Sequence, residues 1–309
     1  MIVKMKFLSI SGPKVDIDRV CDKYLSKYEM QLENAVTELR TTQNLLPFVE
    51  VNPYKEPLAK AEQFAGLLPS GEYHTDHTLT TEEILALIRD VNHDYLDIQE
   101  NKELLKKKKD ELTGKLNVLE PFRSLDLDVH KVLHYRYMHV RFGRIDLDHY
   151  QKLEKYLFDD LNAIFLEGTR TENYVYGCYF AANSDTSRVD AVFNSMHFER
   201  ITVSDEYIGT PQVACETLKE EIEETQKAID QLEEDTRSLM ESHASELMGA
   251  RKRLEELSNN FDVRKMAARI EDDNKEDYYI LCGWMGEKDV EAFVKEAEND
   301  HRVLIVARS

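Results

Sequence analysis

TEEILALIRDVNHDYLDIQENKELLKKKKDELTGKLNVLE, residues 81–120, decides the fold of this 309-residue chain. Ile84, Val91, Ile98, Leu105, Leu112 and Leu119 fall on one seven-residue register. Leu87, Tyr95 and Leu116 lie three or four positions along, on the same side. A pattern held that long marks a coiled-coil seam rather than the buried face of a short globular helix. Thr80 with Glu83 forms a capping box at its start, and Pro121 stops it. At 1.5 Å rise per residue, such a helix is about 60 Å long.

A second stretch, 211–261, answers the first. It carries Leu218, Ile222, Ile229, Leu232 and Leu239, then resumes as Leu247, Ala250, Leu254, Leu257 and Phe261. Between Leu239 and Leu247 the register shifts by one four-residue step through His243, the mark of a stutter. Thr210 caps this helix, with Pro211 at its first position, where a missing N–H costs nothing. Two helices of similar length separated by one compact segment predict an intramolecular antiparallel hairpin. The competing arrangement is a free-standing coiled-coil scaffold that dimerises with a second copy.

Working outward, the enclosed segment 122–209 reads as β-α-β-α-β. Leu133, Tyr135, Tyr137, His139 and Arg141 alternate in a strand at 133–143. Asp146 caps a helix with Tyr150, Leu153, Tyr156, Leu157, Leu161 and Phe165. Tyr174, Tyr176, Cys178 and Phe180 make a second strand, Ser184 starts a second helix, and Ile201 and Val203 make a third strand.

The chain ends carry one β-α-β unit each. At the start, Val3, Met5 and Phe7 alternate with lysines, Ser11-Gly12-Pro13 turns, Asp16 caps a helix through Leu25, and a strand follows at 30–37. A short helix with Leu58, Ala61, Phe64 and Leu68 precedes the polar linker 70–80. At the other end come a strand at 278–285, a helix at 287–298 and a strand at 303–306. Neither unit buries a sheet alone. The hairpin returns both to one place, so they are expected to pair as a βαβ–βαβ sheet of ferredoxin-like type. The expectation is an α+β dumbbell. Residues 1–80 with 262–309 form a terminal lobe, 81–121 and 210–261 an antiparallel coiled-coil rod, and 122–209 a distal α/β lobe.

Composition narrows the function. Charged residues make up 32% of the chain, which suits long solvated helices, and the net charge of −20 disfavours nucleic acid or anionic lipid as partners. The four cysteines, Cys21, Cys178, Cys215 and Cys282, are widely spaced and read as reduced thiols. No apolar run approaches a membrane span, and no signal-peptide core is present.

Chemistry is sparse. Phosphate-binding glycine motifs are absent. His74 and His77 flank Asp76 without the further ligands a metal needs. His130, His134 and His139 gather near one strand without a nucleophile or carboxylate pair. Lys106–109 is a basic run on the first long helix and reads as a solvated face. No catalytic residue, metal or cofactor is expected. Trp284, the one tryptophan, reads as a lobe anchor or as a partner contact.

Two stretches carry a resemblance. KMKFLSISGP at 4–13, the helix after it and QLENA at 31–35 resemble the opening of subunit I of V-type (archaeal-type) ATPases and ATP synthases. YILCGWMGEKDVEAFV at 279–294, with Gly283 and Trp284 at its centre, is similar to the strand, Gly-Trp pair and helix that close the cytosolic half of that subunit, the homologue of eukaryotic subunit a. The family has Pro two residues after the pair, where this chain has Gly286. It also continues into a multi-span membrane domain with ion half-channels, which this chain, ending at Ser309, does not reach.

The resemblance implies a non-catalytic stator subunit at the cytoplasmic face of a membrane complex. Its cytosolic domain would link the ion-translocating sector to the peripheral stalks, the E–G heterodimers. It would lie near the central-stalk socket subunit (C, or d) and reach the rotor ring only through its own membrane domain.

Overall fold

The structure, a computed structural model, describes residues 4–39, 45–75, 78–159, 161–271 and 277–308. In chain order the elements are β1 (Met5–Pro13), α1 (Ile17–Lys23), β2 (Met30–Glu33), α2 (Ala35–Glu38), β3 (Leu46–Pro47), α3 (Lys55–Leu67) and α4 (Thr81–Leu119). Next come α5 (Val129–Leu133), β4 (Met138–Asp146), α6 (Leu147–Asp159), β5 (Ala163–Arg170), β6 (Tyr174–Ala182), α7 (Thr186–Ser195) and β7 (Glu199–Arg200). The chain closes with α8 (Pro211–Ser242), α9 (Ala244–Asp262), β8 (Ala268–Glu271), β9 (Asp277–Gly286), α10 (Glu287–Ala297) and β10 (Leu304–Arg308). These elements divide into two compact units, Met1–Tyr95 with Arg237–Ser309, and Leu96–Thr236.

In the first unit β10, β1, β9 and β2 lie side by side, every neighbour antiparallel. Counted along the chain this is the order 4-1-3-2 with a helix after strands one and three, so the two ends do pair into a ferredoxin-like sheet. One face buries Leu8, Ile10, Tyr279, Leu281 and Met285 against Ile17, Val20 and Tyr24 of the first helical segment and Val290, Phe293 and Ala297 of α10. β8 and β3 extend the sheet past β9, and neither is legible as a strand in the sequence pattern.

Local chemistry corrects three expectations here. Ser11-Gly12-Pro13 continues β1 rather than turning: Pro13 is the last residue of the strand, opposite Tyr278, where its missing donor is tolerated. Asp16 makes no side-chain cap to α1; its carboxylate instead holds Arg19 and Arg302 at 3.1 and 3.0 Å. The strand expected at 30–37 stops at Glu33, because the Asn34 side chain accepts from the Val36 and Thr37 N–H groups and starts α2. Val3 lies outside the described residues.

The helical core of this unit is wider than a two-helix seam. Ala61 and Phe64 of α3 pack with Ile84, Ile88 and Val91 of α4 and with Leu247, Ala250 and Leu254 of α9. Ile88 broadens the heptad stripe into a globular face, and α3 fills the groove it creates. The capping box at Thr80 is present, with the Thr80 N–H donating to Glu83 at 2.8 Å. At His243 the structure shows a break between α8 and α9 rather than a continuous stutter. His243 has φ −109° and ψ 12°, and helical bonding restarts with Leu247 N–H to His243 O at 2.8 Å.

The second unit repeats the topology. Its sheet order is β5-β6-β4-β7, which counted along the chain is again 4-1-3-2, with α6 and α7 as crossovers. The strand that completes it, β5, occupies residues that the sequence period assigns to the end of a helix. Tyr150, Leu153, Leu161 and Phe165 share that helical period by coincidence, yet α6 stops at Asp159. Ala163 onward then pairs with β6 from Ala163↔Ala181 to Glu167↔Gly177, so the unit has four strands, not three.

Leu133 closes α5, whose N-terminus Asp128 caps through the Lys131 N–H. Tyr135 and Tyr137 follow in an exposed connection, and β4 starts only at Met138. Asp146 does cap α6, accepting from the His149 N–H at 3.0 Å. Ile201 and Val203 lie just past the two-residue strand β7.

Within this unit α4 and α8 run antiparallel. Lys102 meets Glu233 at 2.7 Å, Lys109 donates to Gln226 at 2.6 Å, and Lys219 meets Glu120 at 3.0 Å. Leu112, Leu119, Ala214 and Leu218 form the seam and join Phe122, Val132, Val140, Phe142 and Phe180 in one core.

Candidate interaction surfaces

Gly283 and Trp284 sit near the end of β9, between β1 and β2. Gly283 faces Leu8 on one side and Leu32 on the other. A Cβ on Gly283 would lie 2.2 Å from the Gln31 carbonyl oxygen, so only glycine lets β2 approach this closely. Trp284 points to the sheet face opposite α1 and α10. Its ring meets Phe7 edge-on, centroids 5.3 Å apart, and it stays 40% exposed. Phe7 is its register partner on β1. Met5 and Val306 are also exposed on the paired strands, so the aromatic pair belongs to an apolar strip. The sequence signals Trp284 but not Phe7 beneath it, because that contact joins residues at opposite ends of the chain.

A charged network ties α1 to the C-terminal segment. Asp300 accepts from Arg19 and from the Tyr24 hydroxyl, the latter at 2.8 Å. The Arg19 guanidinium, chiefly, holds the Asp300 carboxyl far below the usual carboxylate range. Asp262 is likewise lowered to about 2, by Lys265 first and by Asn52. Arg264, almost fully buried, bonds Asp18 through two nitrogens and stacks 3.9 Å over Phe261. These are positioning contacts: they tie α1 to the turn after α10 and to the segment that follows α9.

The histidines do not assemble a reactive site. His130 and His134 stack with centroids 4.3 Å apart at the end of α5, and His134 lies 3.6 Å from Asp205. His139 stands separately on β4, exposed. His74 is described; Asp76 and His77 lie outside the described residues. Among the described residues no three His, Cys, Asp or Glu side chains converge as metal ligands. All four cysteines are free and buried. Burial pushes the Cys21 and Cys178 thiols up to about 12, so neither is poised as a nucleophile.

The Lys106–109 run is partly engaged: Lys106 bonds Glu103 at 2.9 Å, and Lys109 reaches Gln226. A cavity of about 660 Å³ in the second unit is lined by Asn117, Arg123, Thr169, Tyr176 and Gln212. Its one guanidinium already faces Glu120 and Glu216, at 3.7 and 3.4 Å. It offers no surplus charge to a ligand.

No family model matches the chain, and no curated protein does. Among solved structures, the chain is similar to one described as the crystal structure of the cytoplasmic N-terminal domain of subunit I, homolog of subunit a, of V-ATPase. The alignment covers 98% of this chain and 100% of that one, at 14% identity and a TM-score of 0.43. Among the described residues no helix is long and apolar enough to cross a membrane.

Proposed function

We propose that the chain is the cytosolic part of a stator subunit in a rotary V-type ATPase or ATP synthase, without catalytic activity of its own. One observation carries this reading. The two stretches that resemble subunit I, at opposite ends of the chain, are neighbouring strands, with Phe7 in register with Trp284 and in ring contact with it. Two separated motifs that meet in one sheet form a single signature rather than two weak ones.

In this reading residues 1–80 with 262–309 form the membrane-proximal lobe, at the cytoplasmic face of the membrane complex. Stretches 81–121 and 210–261 carry load as paired helices, and 122–209 forms the second lobe. The partners are the E–G peripheral-stalk heterodimers, with the socket subunit of the central stalk nearby. The membrane sector and rotor ring are reached through a membrane domain outside this sequence. The net charge of −20 favours basic patches on those partners.

Isothermal titration of the chain with a purified E–G heterodimer from the same source tests the reading. Saturable binding is expected, lost on truncation of one lobe. Absence of binding by folded chain, together with a solution mass twice that of the chain, would replace the reading with that of a dimerising scaffold.

A further inference from the structure

We propose that His149 and His197, backed by the Asp146 carboxylate, hold a divalent transition-metal ion of the zinc, nickel or copper class in the second unit. The two imidazoles come from different elements. His149 lies in the first turn of α6, and His197 lies two residues past the end of α7. Their ring centroids are 4.8 Å apart, with the rings at 68° to each other. Two imidazoles on one ion, each bonded at about 2.0–2.1 Å, hold their centroids about 5 Å apart. The observed spacing meets that need.

The tautomer of His149 is set by its neighbour. Its Nδ1 lies 2.8 and 2.7 Å from the two Asp146 carboxylate oxygens. An ionised carboxylate only accepts, so Nδ1 carries the proton and Nε2 of the neutral ring keeps the lone pair. A carboxylate behind an imidazole is the arrangement that orients a histidine ligand and raises its basicity. Asp146 stays ionised for this task. The His149 backbone N–H, chiefly, holds its carboxyl below the usual carboxylate range, and the His149 and His197 rings add to the effect.

His197 supplies the second ligand. Neither of its ring nitrogens has a hydrogen-bond partner among the described residues. Its backbone is held at φ +59°, a conformation that favours glycine. Its N–H bonds the Asn194 carbonyl, and the Phe198 N–H bonds the Phe193 carbonyl, both at 3.0 Å. Phe198 is buried over Gly143 of β4, where a Cβ would leave no room for its ring. A histidine kept where glycine is favoured thus sets an unengaged imidazole beside an oriented one. Among the described residues no third His, Cys, Asp or Glu converges on the pair, so water completes the shell and the site is open to exchange. Imidazole ligands select d-block ions over magnesium and calcium. The His130–His134 pair differs, since its rings stack at only 32° and their planes do not meet at one nearby ion. The inference stands independently of the rotary-ATPase reading, since it rests on these side chains alone.

The probe is ZnCl2, titrated into the chelator-stripped full chain against a chromophoric zinc competitor at about pH 7.5, where imidazoles are mostly neutral. A saturable site is expected. His197→Gly relieves the left-handed conformation, so its far-ultraviolet circular dichroism should stay as in the parent while the site weakens about tenfold or more. His149→Ala should weaken it as much. Asp146→Asn still accepts the capping N–H but loses the charge, and should weaken zinc about tenfold. His130→Ala with His134→Ala should leave the site intact. Zinc affinity unchanged in His197→Gly would overturn the proposal. So would loss confined to the His130→Ala, His134→Ala variant, or no saturable binding.

Discussion

The two units build the same sheet from differently spaced sequence. In the second, strands two and three (β5 and β6) are joined by residues 171–173. In the first, the corresponding strands β2 and β9 are separated by everything from 34 to 276. Their interiors correspond nonetheless. Val290 and Phe293 of α10 match Val189 and Phe193 of α7 in type and burial. Gly283 on β9 and Gly177 on β6 both lie in strand three but at different heights, the seventh residue of one strand and the fourth of the other. A Cβ on either would strike a carbonyl oxygen of strand two, Gln31 at 2.2 Å or Leu166 at 2.3 Å. The glycine of the Gly-Trp pair therefore has a structural reason that recurs where no such pair exists. What is particular to the first unit is the exposed Trp284.

The largest test of this correspondence is Phe293→Ala against Phe193→Ala. Each should destabilise its own unit by about 4 kcal/mol. Trp284 emission reports on the first unit alone, so urea unfolding followed by fluorescence and by circular dichroism separates the two. Phe193→Ala should leave the fluorescence midpoint in place, and a shift in both signals would show that the units unfold as one.

Gly283→Ala and Gly177→Ala should cost about 2 kcal/mol each, since the opposing atom is backbone and cannot swing away. A neutral result at Gly177 with a loss at Gly283 would show that the close approach to strand two is rigid only in the first unit.

The acid response sharpens the contrast further. Asp300 is held below its ordinary range, so its contribution is complete above about pH 4 and is lost as pH falls below that. Asp300→Asn should lower the urea midpoint read by Trp284 at pH 7 and flatten its decline below pH 4, with the second unit unaffected.

The smallest effect concerns His197, two residues past the end of α7 and at φ +59°. His197→Gly should stabilise the second unit by about 0.5 kcal/mol, as relief of the left-handed strain narrowly outweighs the freer unfolded chain and the lost contact with His149. The circular dichroism melt reads it.

Long-period features are legible because they repeat. The seam of α4, the caps at Thr80 and Asp146, and the terminal strands all follow from local spacing and short side-chain bonds. β5 is hidden because Phe165 extends a helical period that the backbone does not follow. β3 and β8 are hidden because strands of two and four residues are defined by their neighbours rather than by their own pattern. Of the candidate surfaces, Trp284 is visible as a rare residue, while its ring contact with Phe7 is not, since the two strands lie at opposite ends of the chain.

By itself, the sequence determined the antiparallel helix pairing of α4 with α8 and the βαβ character of both chain ends, because periodicity and caps act within a few residues. The tertiary structure alone decided that both sheets share one strand order, that α3 completes a helical core, and that Phe7 meets Trp284. Those contacts join residues far apart in the chain, and their stability comes from buried area and close backbone approach that no local pattern encodes.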